Sequence, residues 1–221
     1  MAIALFYAIA VITRYVVLQY DHLPYTGIVR LLVDWASGVG PCLGALAAVL
    51  ICKRRFYCSI IGTSLLKSVI TVAIPFTVIF VLNHEISYIW LAFVVYSFLE
   101  EVGWRGCLQG ELKDMNHALR VLVITGMWFF WHIQISMSIG SLVFFVILFL
   151  GSWGIGLLAR DTHSLTVCAC LHTLGNFSFK GLFEFTPGII ALYVAVFIIW
   201  HLLWYVPWSK ITIRNHNLRQ K

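Results

Sequence analysis

The sequence predicts an all-α fold, a polytopic helical membrane bundle of about eight transmembrane helices that forms one integral-membrane domain over residues 1–221. Three observations predict it. The chain is 61% hydrophobic and only 11% charged, whereas ordinary soluble domains carry about 25% charged residues. Its apolar runs are continuous rather than alternating, which favours helices over an outer-membrane barrel. Chain-reversing clusters separate the runs, among them Asp21-His22-Leu23-Pro24, Asn83-His84-Glu85 and Thr186-Pro187-Gly188.

The first segment covers about 2–19. It contains Arg14 and lacks both a basic start and a small-residue cleavage site, so it reads as a retained helix rather than a signal peptide. The second covers 29–52, where Gly38 to Gly44 supply small residues for close helix contact. The third covers 59–82 and the fourth 87–112. The fifth covers 118–136. The sixth covers 140–159, with a second small-residue run at Gly151 to Gly156. The seventh, 164–179, falls short of the ~20 residues of a span, so its neighbours are expected to bury part of it. The eighth covers 188–206, followed by a basic tail over 207–221 that is expected to be cytoplasmic.

The formal net charge of +6 is distributed as membrane orientation requires. Lys53, Arg54 and Arg55, then Arg105, Lys113 and Arg120, then Arg160, and the tail cations Lys210, Arg214, Arg219 and Lys221 fall on one side if both termini are cytoplasmic. Arg30 and Lys180 fall on the other, and Arg14 and Lys67 lie inside spans. The basic residues therefore report topology, and no nucleic-acid partner is expected. Cys42, Cys52, Cys58, Cys107, Cys168 and Cys170 form no CxxC pair and read as free thiols packed as small hydrophobes.

Three polar clusters interrupt this background: Glu100-Glu101 with Arg105, Trp128 with His132, and His172 with Asn176. An ionisable group at membrane depth is costly and is kept for a task. Glutamate, histidine and asparagine supply a base, a proton carrier and a donor to a developing oxyanion. Glu100 lies fifteen residues before the turn at Met115 and His132 seventeen after it. At ~1.5 Å per residue they share a depth of ~22–26 Å from that turn. Neighbouring helical residues point ~100° apart, and Glu101 pairs with Arg105 at i,i+4, so Glu100 is the freer carboxylate and the candidate base. His172 and Asn176, also at i,i+4, project into one cavity. There is no P-loop or dinucleotide fingerprint. Asp34, Lys67 and Arg14 have no partner spacing that singles them out.

Glu100 to Arg105 resembles the EExxxR motif of the CPBP family, the CAAX-protease and bacteriocin-processing (Abi) membrane proteins. Trp128 to His132 is similar to its FxxxH motif, with tryptophan in place of phenylalanine, and His172 to Asn176 to its HxxxN motif. The resemblance covers 87–179, which is accordingly the expected catalytic core. It implies a glutamate-type intramembrane endopeptidase without a cofactor. Glu100 and His132 would activate a water, and His172 and Asn176 would stabilise the oxyanion. Glu101, Arg105 and Trp128 would hold the architecture, with only the packing altered by the tryptophan. The implied substrate is a peptide, a leader or a membrane protein, lipidated or not, in the bilayer of a bacterial plasma membrane.

Rival readings are a zinc-dependent CAAX-type protease with Glu100, His132 and His172 as ligands, and a non-proteolytic immunity protein or a scaffold for a membrane signalling partner. A proton-relaying transporter is disfavoured by the absence of repeat symmetry.

Overall fold

Small residues on the second helix let its neighbours approach at backbone distance, and this sets the frame of the bundle. The computed structural model describes residues 1–20, 22–24, 26–133, 136–179 and 187–205, the side chains at 177–179, 189, 192, 193, 197 and 201 excepted. Among them are α1 (Ala2–Leu18), α2 (Gly27–Cys52), α3 (Leu65–Leu82), α4 (His84–Glu111), α5 (His117–Trp131), α6 (Ile139–Thr162), α7 (Leu165–Phe179) and α8 (Pro187–Tyr205). The described residues hold no β-strand, only an isolated bridge between Ser59 and Ser164.

The fold class is all-helical, as expected. The count of crossings is coarser: α2, α3, α4 and α6 are long and apolar enough to cross a membrane, whereas α1, α5 and the 194–205 part of α8 are shorter apolar helices. Their outer faces carry exposed residues such as Leu50, Val81 and Ile139, the surface that lipid would cover. The basic tail and Lys180 lie outside the described residues.

A β-carbon at Gly40 would lie 2.7 Å from the Ala10 carbonyl oxygen, and one at Gly44 would lie 2.3 Å from that of Phe6. Glycine at both positions is what allows α1 to lie on α2. Two residues before Gly40, Gly38 meets the Tyr96 ring of α4. The second small-residue run behaves differently: Gly151 has open space around its α-carbon, and Gly154 makes only ordinary contact with Leu171.

Two ends differ from the expected ones. α3 begins at Leu65 because the chain before it is held extended against the α6–α7 turn. Ser59 N–H donates to the His163 carbonyl, Leu165 N–H to that of Ser59, and Thr63 N–H to that of Thr162. Gly62 has φ +63°, with the Thr162 carbonyl where a side chain would start. Burial pushes the Cys58 thiol in this loop up to about 12, so it stays protonated and donates to the Ala159 carbonyl. α5 stops at Trp131 rather than near 136, because Ile133 adopts φ +59°. That conformation is rare for a β-branched residue, and it puts His132 at the helix end.

α4 is not a continuous α-helix. It runs as His84–Glu101, widens into a π-helical stretch over Val102–Leu108, and closes with Gln109–Glu111. All seven π-helical residues are buried. The Gly106 carbonyl accepts the Tyr57 N–H at 2.7 Å. A β-carbon on Gly103 would lie 2.4–2.8 Å from Pro41 of α2, backbone included. Gly103→Ala is therefore expected to push α2 off this stretch at a cost of about 1–3 kcal/mol. A lowered thermal midpoint in detergent checks it; an unchanged midpoint means the contact is relieved elsewhere.

Candidate active site

The first and third motifs meet because α7 is bonded to α4. The Thr173 hydroxyl sits 3.0 Å from Ser97 Oγ and 3.2 Å from the Phe93 carbonyl. This brings His172 against Glu101, the residue one turn beyond Ser97. His172 Nδ1 lies 2.9 Å from Glu101 Oε1, and Arg105 Nε lies 3.4 Å from Glu101 Oε2. Glu101 and Arg105 have no exposure at all. The expected Glu101–Arg105 pair is present, and His172 joins it as a third member that sequence spacing did not reveal. Arg105 also lies 5.5 Å from the Trp128 ring centre, and none of its nitrogens finds a hydrogen-bond acceptor among the described residues.

Glu100 is 1% exposed. Its Oε2 accepts the Trp128 indole N–H at 2.9 Å, and the Tyr96 hydroxyl, one turn earlier on the same face, also reaches it. Two corrections follow. Glu100 is not the freer carboxylate in the sense of being unbonded; it is held by Trp128. Trp128 does more than pack, because it donates a hydrogen bond that phenylalanine lacks. The i,i+4 spacing of Tyr96 to Glu100 was a readable signal for the tyrosine.

His132 is half-buried at the end of α5. Its Nδ1 is 2.8 Å from the Trp128 carbonyl oxygen, which can only accept, so the proton sits on Nδ1 and Nε2 is left as the acceptor. The Trp128 ring lies 4.9 Å from the His172 ring and 6.4 Å from the His132 ring, centre to centre. Glu100, His132 and His172 are thus grouped around one indole, while Asn176 is half-buried one turn beyond His172. Trp104 and Trp131 close the back of this layer, at 6.2 Å and 5.9 Å in the ring pairs Trp104–Trp128 and Trp104–Trp131.

Arg105 is fully buried, so it does not belong with the loop cations of the expected topology. The loop that carries Arg54 does meet Glu111 at the end of α4, 3.3 Å apart in that pair. Among the described residues no three histidine, cysteine, aspartate or glutamate side chains gather as metal ligands would. Glu101, not Glu100, is the carboxylate bonded to His172.

A buried carboxylate bonded to a histidine, with a second buried carboxylate beside it, is in a helical membrane protein an arrangement suited to hydrolysis away from bulk water. No curated protein and no solved structure matched the chain. One family model did, over residues 81–178, and its description is Type II CAAX prenyl endopeptidase Rce1-like. The stretch of this integral membrane protein that holds all three motifs thus lies within a match to the Rce1-like domain model of the CPBP family.

Proposed function

We propose that the chain is an intramembrane endopeptidase in which Glu100 and His132 together activate a water. The observation that carries this reading is the shared use of Trp128. Its indole N–H holds the Glu100 carboxylate, and its backbone carbonyl fixes the His132 tautomer with Nε2 as acceptor. A water between the two loses its proton to Glu100 as its oxygen attacks the peptide carbonyl carbon. The tetrahedral oxyanion is met by His172 and Asn176. With Nδ1–H committed to Glu101, His172 donates from Nε2 as the imidazolium, and Glu101 supplies the counter-charge. The C–N bond then breaks, and the proton held by Glu100 passes by way of His132 to the leaving amine, giving a carboxylic acid and an amine.

The substrate of this reading is a peptide or membrane protein reached from the bilayer, lipidated or not, in a bacterial plasma membrane with both termini of the enzyme in the cytoplasm. No cofactor takes part. Purified protein should cleave a peptide substrate equally with and without a strong chelator. Activity lost to the chelator and restored by zinc would replace this mechanism with a metal-dependent one.

Trp128→Phe tests the shared residue. Hydrogen bonds to charged groups contribute about 1.5–3 kcal/mol, so kcat should fall roughly 10- to 100-fold with little change in KM. In a Glu100→Gln background the same change should cost almost nothing further. A full additional loss there would show that Trp128 acts on something other than Glu100.

A further inference from the structure

A carboxylate inside a membrane bundle needs donors to replace the water it has lost. Glu100 is 1% exposed, and two donors reach it from different elements. From α5 the Trp128 indole N–H meets Oε2 at 2.9 Å. From α4 itself the Tyr96 hydroxyl reaches the carboxylate from one turn earlier. That hydroxyl has one hydrogen and two neighbours, Glu100 and the Ser37 hydroxyl of α2. Ser37 donates to the Asp34 carbonyl at 2.7 Å, and an ionised carboxylate is the stronger acceptor. The phenol therefore donates to Glu100.

The ring that carries this hydroxyl is closely seated. Gly38 of α2 faces it without a side chain, and a β-carbon there would come within 2.9 Å of ring carbons Cδ2 and Cε2. The Phe93 ring meets it edge-on, 6.3 Å away centre to centre. Arg14 of α1, 8% exposed, lies over the Trp131 ring at 5.0 Å with its Nη1 3.5 Å from the Ser37 carbonyl. Its charge bears on the Tyr96 hydroxyl, and a cation near a phenol oxygen strengthens the hydrogen bond the phenol donates.

The last torsion of a glutamate has only a broad preference. One donor fixes one oxygen and leaves the carboxylate plane free to swing; a second donor fixes the plane. We infer that Tyr96 is a positioning residue for the base: with Trp128 it clamps the Glu100 carboxylate so that its remaining lone pairs face the water shared with His132. This rests on the endopeptidase reading above. Tyr96 acts through Glu100 and not on the substrate, so its loss is felt in the bond-breaking step and not in binding.

The test uses the full chain in detergent. Tyr96→Phe keeps the ring against Gly38 and removes only the hydroxyl. Cleavage of an apolar fluorogenic peptide should fall about 10- to 100-fold in kcat, with KM and the thermal midpoint little changed. In a Glu100→Gln background the same substitution should cost almost nothing further. Infrared difference spectra read the contact without any substrate. The carboxyl band that is absent from Glu100→Gln protein should be shifted in Tyr96→Phe protein, which a packing role alone would not do. An unshifted band overturns the inference. So does a loss carried by KM, or one that persists in full in the Glu100→Gln background. A shifted band with wild-type kcat overturns it too, since the clamp would then do nothing for the base. A shifted band in a protein that cleaves no peptide, wild type included, would keep the clamp on Glu100 and remove the endopeptidase reading instead.

Discussion

Glu100→Gln should reduce peptide cleavage by at least about 1000-fold while leaving the helical fold and KM in place. The substitution is nearly isosteric. The amide oxygen can still accept the Trp128 indole N–H that Oε2 now accepts at 2.9 Å, so the surroundings keep their partner. What is lost is the ability to take a proton from water. General acid–base catalysis contributes about 100- to 10,000-fold, and a water without a base is a poor nucleophile in a low-dielectric interior. Circular dichroism and the thermal midpoint check the fold, and single-turnover cleavage of the peptide checks the chemistry. A Glu100→Gln protein of normal activity would move the base elsewhere, with Glu101 as the neighbouring carboxylate.

Glu101→Ala should be the most destabilising single change in the site. Removing one partner of a buried ion pair costs about 3–5 kcal/mol because the other charge is left uncompensated. Here the residue left behind is Arg105, which has no exposure and whose nitrogens already lack hydrogen-bond acceptors among the described residues. The same change releases His172 Nδ1. Glu101→Ala should therefore express poorly or melt well below wild type. A double substitution, Glu101→Ala with Arg105→Met, should recover part of the loss, since it removes both charges and fills the space. Equal stability of the single variant and wild type in detergent would mean the triad does not hold the fold. The contrast between the neighbouring glutamates is the informative result: one change removes activity and spares the fold, and the other attacks the fold itself.

How much of this was legible in the sequence depends on whether a feature is local. Continuous apolar runs made the helical class plain. The Glu101–Arg105 pair was readable because i,i+4 neighbours share a face whatever surrounds them. The π-helical stretch was not, because Gly103 and Gly106 look like ordinary packing glycines until Pro41 and Tyr57, far back in the chain, are seen against them. The early end of α5 was hidden for a similar reason: Ile133 in a left-handed conformation contradicts its local preference, and such conflicts collect where tertiary structure overrules propensity. The indole N–H of Trp128 was legible, since a tryptophan in place of phenylalanine adds a donor as well as bulk. Arg14 was visible as a cation in an apolar run, but Ser37 and Trp131 reach it from α2 and α5, so no sequence spacing could single it out.

The most direct measurement is a double-mutant cycle of single-turnover cleavage with Glu100→Gln, His132→Ala and both together. If the two side chains serve one water, each single change should bring the rate close to the level of the double, because residues that act as a unit lose their function together. Losses that multiply, or a Glu100→Gln protein that cleaves as fast as wild type, would contradict the shared water.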